Sequence, residues 1–294
     1  MLEPAVLAGR DRYERVMHGR VDNTHDDAFT HTVRLTDDGR ELEVSVVALP
    51  PPTYAIREAR LTAVAGRVAA SLAPAFAGLA GSEMVGGLTR RTAELLGGGD
   101  GAGLAVDATI EVARLARQVT RMPRALAERA TSGDPLACWT LDTTGWADLP
   151  DSCFTYSAAG RALFGTRTIA TPMVPDLYSP RPGQCRVFER RKVARLERAE
   201  GRLRLFHSMH DNVHGFEITY EIDLATETIV RAEHVTPRLP YQGVCSEPQR
   251  RIAGLLGERV DAGLRKRIQV TLGGVAGCAQ LYDLTADVLK LLAR

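Results

Sequence analysis

The chain has almost no net charge. Its 37 Lys and Arg stand against 36 Asp and Glu, a formal charge of +1 over 294 residues. A dedicated nucleic-acid binder needs a clustered basic surface, so the expectation is no nucleic-acid partner. The N-terminus, MLEPAVLAGRDRYERV, lacks the unbroken apolar core of a signal peptide. No run approaches the length of a membrane span. A disulfide framework is missing too: five cysteines, odd in number and irregularly spaced, point to reduced thiols in the cytoplasm. The glycine-rich loop Gly97–Gly103 lacks the Lys-Ser/Thr of a P-loop, and reads as an interhelix turn. Apolar residues at 45% and charged ones at 25% fit a soluble globular chain. Its length allows two ordinary domains or one large duplicated one.

What is present is a repeat. Setting Ala253–Leu291 against Ala77–Leu115, at a constant offset of 176, makes fifteen of 39 positions identical, where chance gives about two or three. Leu96-Gly97-Gly98 falls on Leu272-Gly273-Gly274, Asp107 on Asp283 and Thr109 on Thr285. The shared positions are turn glycines and helix-face leucines, which are scaffold. Where the first copy has Ala102, Leu104 and Val106, the second has Cys278, Gln280 and Tyr282. That asymmetry points to the second copy as the one that carries a site.

Along the chain, Arg10–Met17 is charged and amphipathic, so residues 1–20 are expected to be helical. Phe29–Leu35 alternates as a strand does, Asp37-Asp38-Gly39 signals a hairpin, and Leu42–Leu49 returns. The alanine-rich Ala59–Leu79 has helical spacing interrupted at Pro74, and Leu88–Leu96 and Leu104–Val119 are further helices. Residues 120–160 have no partner in the repeat. They hold Trp139 and Trp146, and read as a connector or a lid. Cys138 and Cys153 lack zinc spacing. Val187–Leu196, Arg202–Met209, His214–Ile222 and Thr228–His234 read as strands, and Glu247–Leu256, Gly263–Thr271 and Cys278–Leu292 as helices. Strands followed by helices in blocks predict an α+β fold: two tandem related units, each an antiparallel hairpin or sheet followed by about three helices. The expected division is 1–119 for the degenerate first repeat, 120–160 for the connector and 161–294 for the second repeat.

Two constellations could carry chemistry. FHSMHDNVHGFE holds His207, His210, Asp211 and His214. On a strand His207 and Asp211 share a face and His210 lies on the other. Histidine suits both acid–base work and ligation, although the spacing is not HExxH. The bland alternative is a hairpin with polar residues at its tip. The second constellation is Cys245, Cys278 and Gln280. A thiol opening a helix feels the positive end of the dipole, which favours thiolate. The bland alternative is two small buried residues. The basic turn Arg265-Lys266-Arg267 reads as solvated or structural, with an anionic ligand as the lesser alternative.

The order of strand hairpin, Pro-aromatic, Cys, Gly-Gly, Gly-Cys-x-x-Leu and a final helix resembles a bacterial family, domain of unknown function 2889. Its signature ends in Gly-Cys-Thr-His-Leu before a leucine-rich helix. The matching residues here are Gly273-Gly274, Gly277-Cys278-Ala279-Gln280-Leu281, Pro240-Tyr241, Cys245 and His214. The resemblance covers roughly 185–294, and Gln280 stands where the family has histidine. The family implies no settled activity. The pattern is also similar, more distantly, to iron–sulfur scaffold proteins, which place a cysteine at the start of a final helix.

The leading expectation is a cytoplasmic bacterial enzyme of small-molecule catabolism, of lyase, isomerase or hydrolase type. His207, Asp211, His214 and Cys278 would be catalytic, and Cys245, Gln280 and Tyr241 would bind substrate, without a cofactor. The alternatives are a divalent-metal or iron–sulfur protein with Cys245, Cys278 and His214 as ligands, and a ligand-binding protein without chemistry. The expected partner is a small molecule, with no membrane; a homo-oligomer is left open.

Overall fold

The computed structural model describes residues 2–292. The fold is mixed α+β, with antiparallel strands. Its strands are β1 (Arg12–Asn23), β2 (Phe29–Asp37), β3 (Arg40–Ala48), β4 (Ile56–Ala65), β5 (Gln184–Ala199), β6 (Arg202–Asp211), β7 (Gly215–Asp223) and β8 (Thr228–Arg238). The helices are α1 (Leu72–Ala77), α2 (Leu88–Leu96), α3 (Ala102–Ala116), α4 (Arg124–Ala130), α5 (Pro135–Gly145), α6 (Ala158–Ala162), α7 (Pro175–Tyr178), α8 (Ser246–Gln249), α9 (Leu264–Leu272) and α10 (Ala279–Lys290). Two compact units are discontinuous in sequence. One comprises 15–129 and 174–191; the other comprises 1–14, 130–173 and 192–294. The segments 1–119, 120–160 and 161–294 therefore do not map one to one onto them.

In the first of these units the strand order is β4-β3-β2-β1. Its β2–β3 turn places Asp38 and Gly39 both at positive φ, 42° and 78°, the conformation that matches strand twist. Leu42, Val44, Val46 and Ala48 alternate inward along β3 and are all buried. α3 covers β2 and β3, burying Ala105, Ala108, Val112 and Leu115 completely. His31, on β2 opposite Val46, is 1% exposed. Burial pushes its imidazole down to about 4, against the opposing effects of the Val46 backbone and the Asp22 charge.

Two expectations fail here for one reason. Among the described residues of 1–20, a short 3-10 turn, Ala5–Leu7, is the only helical element before β1 begins at Arg12. Tyr13, Met17, Gly19, Val21 and Asn23 are its buried positions, all of odd number, so the true period is two. The long charged side chains between them imitate a helical stripe. Likewise Ile56–Ala65 is the strand β4, paired with β3 through Val44↔Leu61 and Val46↔Ala59. The helix starts only at Leu72, with Pro74 inside its first turn, where the ring is tolerated. Alanine-rich composition outweighed alternation in that reading; tertiary pairing outweighs propensity in the fold.

The other unit has the order β5-β6-β7-β8. Glu200 and Gly201, both at positive φ, make the β5–β6 turn. Phe216, Ile218, Tyr220 and Ile222 point inward along β7 with 0% exposure. They face α10, whose Leu281, Leu284 and Val288 are equally buried. Polar contacts fix the register of helix on sheet: the Tyr220 and Thr285 hydroxyls are 2.8 Å apart, and Lys192 Nζ lies 2.9 Å from Asp287 Oδ2. Residues 246–256 form α8 followed by a 3-10 segment, Arg250–Leu255, rather than one continuous helix. Pro248 lies within α8 and has no amide to offer an α-helical ladder.

Candidate functional site

In the unit formed by 1–14, 130–173 and 192–294, α5 starts from a well-made cap. Asp134 accepts from Leu136 N at 2.9 Å, and Pro135 occupies the first turn. Near its other end α5 presents Asp142, a carboxylate 1% exposed. Asp142 Oδ2 accepts two tyrosine hydroxyls, from Tyr156 at 2.8 Å and Tyr241 at 2.5 Å. Burial, then the Asp142 charge, pushes the Tyr156 phenol well above its ordinary range, so it remains a donor. Phe164 packs edge-on against Tyr241, ring centres 5.5 Å apart, and Trp139 donates its indole N–H to Thr155 O at 2.8 Å.

Thr155 links this carboxylate cluster to the thiols. Its hydroxyl lies 3.0 Å from Cys245 Sγ and also hydrogen-bonds Cys153. The 153–160 turn is tight enough to require glycine at 160: a Cβ there would fall 2.1 Å from Phe154 O. Phe154 N donates to Gly277 O at 2.8 Å, which holds the turn against the residue preceding Cys278. Gly277 has the same constraint, since its Cβ would sit 2.0 Å from Leu272 O. Cys278 then caps α10 with its own sulfur, accepting from Leu281 N at 3.5 Å. Gln249, 0% exposed, donates to Cys245 O at 3.1 Å and reaches the Cys278 thiol with its side chain.

All three thiols are shifted upward, first by burial. Cys278 is pushed up to about 11, with the charge of Cys153 adding and N–H groups of the helix start opposing. Cys245 goes higher still, with Cys153 and Cys278 both contributing, and Cys153 rises by burial. Cys153 and Cys278 keep part of their area exposed, but the sulfur environment is dry enough for desolvation to dominate. This reverses the expectation of a depressed Cys278. The helix start is present and its N–H groups do favour thiolate, yet desolvation outweighs them.

The histidine constellation makes different contacts. His207, 3% exposed, places Nδ1 2.8 Å from Leu284 O on α10, so its ring is tied to the helix backbone. Asp211 Oδ1 accepts from Val213 N at 2.8 Å and His214 N at 2.6 Å, and His214 Nδ1 lies 3.1 Å from the same oxygen. A carboxylate partner makes Nδ1 the donor of this contact. His210 is on the outer face, 3.3 Å from Glu217. Gly215, next to His214, pairs with Arg238 at the end of β8, where the chain departs toward Tyr241 and Cys245. Gln280 is half-buried in the first turn of α10.

The structure thus brings Tyr241, Cys245 and Cys278 into one cluster and pairs Asp211 with His214. Among the described residues no group of three or more His, Cys, Asp and Glu side chains is placed to hold a metal ion, so Cys245, Cys278 and His214 are not assembled as a ligand set. Sequence reasoning missed Asp142, Cys153, Thr155, Tyr156 and Gln249. Four of these lie in the 120–160 stretch, whose lack of a repeat partner was the available signal.

Among the described residues no helix is long and apolar enough to cross a membrane. No curated protein and no solved structure matches the chain. Residues 191–293, the stretch holding His207, Asp211, His214, Tyr241, Cys245 and Cys278, match the family described as a protein of unknown function, DUF2889, in agreement with the resemblance read from the sequence.

Proposed function

We propose that the chain is an enzyme of small-molecule metabolism, of isomerase or lyase type, that moves a proton at a carbon adjoining a carbonyl. The single observation behind this reading is the joining of three desolvated thiols to a buried carboxylate that holds two tyrosine hydroxyls. Thiolate attack, as in a hydrolase, calls for a thiol depressed toward neutrality. Burial here works the other way, and a thiol that stays protonated can give up a proton to a strongly basic carbanion but needs a separate base to take one from carbon. In this reading His214, steered by Asp211, removes the proton from carbon, the Cys278 thiol delivers one in return, and the imidazolium restores the thiol through solvent. Tyr241 and Tyr156, their protons committed to Asp142, offer hydroxyl oxygens that accept from a hydroxyl of the substrate. His207 positions α10, and Gln280 lines the approach to Cys278.

The same reading takes the chain to be a tandem duplication whose first copy is scaffold. Supporting it, α2 at Leu88–Leu96 and α9 at Leu264–Leu272 are offset by the same 176 residues as the sequence match, and both are followed by the glycine pair. Segment 130–173 is then an integral wall of the site rather than a detachable lid. A reducing, cytoplasmic location is supported by five free cysteines, and a bacterial source by the family resemblance alone. The likeness to iron–sulfur scaffolds rests on Cys278 at a helix start alone.

Solvent exchange tests the reaction class. Purified protein in D2O, offered a panel of simple α-hydroxy, β-keto and enoyl acids, is expected to promote C–H exchange in at least one, seen by proton NMR. Cys278→Ala and Tyr241→Phe should each lower that rate at least about 100-fold with the fold retained. Exchange undiminished in both variants would remove the cluster from the mechanism. A ligand bound with no exchange at any carbon would favour the non-catalytic reading.

A further inference from the structure

A cavity of about 600 Å3 lies elsewhere in the same unit, within the range of small-molecule sites. None of the residues assigned to the proposed reaction lines it. Its wall is apolar: Leu264 and Ile268 from α9, Ala286 and Leu289 from α10, with Leu2 and Val260 completing it. Four charged residues also line it, Glu227, Asp261, Arg265 and Lys290. They differ in how far they are already engaged. Asp261 takes Arg267 Nη1 at 3.0 Å, Lys290 pairs with Asp287 at 3.2 Å, and Glu227 is also engaged. Among the described residues the side chain of Arg265 alone of the four has no hydrogen-bond or ion-pair partner.

We propose that this cavity is a second ligand site, which takes a small apolar monocarboxylate with its carboxylate on Arg265 and its hydrocarbon body between α9 and α10. A guanidinium offers a planar fork that matches a carboxylate. A largely apolar lining with an unpaired guanidinium, and with Lys290 sharing Asp287 with Lys192, selects for a molecule with a single anionic end. Asp261 is turned toward Arg267, which it shares with Glu258, rather than toward Arg265. Where the repeat is superimposed, Arg265 faces Thr89, whereas Lys266 and Arg267 face Arg90 and Arg91. This cation is therefore particular to this copy, unlike the rest of the basic turn.

Calorimetric titration of the full chain with octanoate and with octanamide tests the site. Octanoate should bind saturably and at least about tenfold more tightly than the amide. Arg265→Gln, a change at an exposed position, should abolish that preference and leave the weaker apolar binding. Ala286→Phe, which fills the cavity, should remove binding of both probes with Arg265 intact. Equal affinity for acid and amide, a preference that survives Arg265→Gln, binding that survives Ala286→Phe, or no saturable octanoate binding would each overturn the proposal.

Discussion

Replacing Asp142 by alanine is expected to cost roughly 2–4 kcal/mol of unfolding free energy at neutral pH. The carboxylate is buried and receives two phenolic protons. Truncation leaves both hydroxyls without their acceptor, and each orphaned buried donor carries a penalty of about 1–3 kcal/mol. Tyr241 is wholly buried and Tyr156 keeps partial exposure, so the lower part of the summed range is the better figure. Urea midpoints of Asp142→Ala, Tyr241→Phe and the double variant should show coupling of more than about 1 kcal/mol. If the two changes add independently, and Asp142→Ala alone loses less than about 1 kcal/mol, the clamp is not what holds this cluster together.

Acid should unfold the chain partly through His31. Its folded pKa is depressed to about 4, below an unfolded value near 6.5. The unfolded state therefore binds the extra proton in the window between them. His31's contribution is present in full above about pH 6.5 and is lost as pH falls toward 4. At pH 4.5 the loss is on the order of 2–3 kcal/mol. His31→Leu keeps an apolar residue of similar size at the site. Between pH 7.5 and 4.5 it should lose less stability than the parent by about that amount. An unchanged pH slope would mean that the imidazole is solvated or paired in the folded protein.

The second unit was more legible in the sequence than the first. The Val187–Leu196, Arg202–Met209, His214–Ile222 and Thr228–His234 strands, and the helices near α9 and α10, were all readable from alternation, turn glycines and leucine spacing, and each falls within a few residues of its place. β1 and β4 were hidden because charged and alanine-rich stretches carry a false helical period. The site was legible only in part. Cys245, Cys278 and Tyr241 stood out as unusual residue types at element ends. Asp142, Thr155 and Tyr156 did not, because what gives them meaning is the fold of a segment with no repeat partner to compare. The direction of the Cys278 shift was misread for a related reason: a helix start is visible in sequence, whereas the burial of one sulfur, and the approach of Cys153 from more than a hundred residues away, are set by the fold.

The state of the thiols decides whether the proton-transfer account stands, and the pH profile of Cys278 alkylation reads it. Iodoacetamide labelling of the native protein, resolved by residue with mass spectrometry, gives a rate at each pH, and the midpoint does not depend on how slowly the reagent enters. We expect a midpoint near 11 and, at pH 7.5, a rate on the order of a hundredfold below that of an ordinary thiol. A midpoint below 8.5, the value of a free cysteine, would contradict the account and return Cys278 to the role of a thiolate nucleophile.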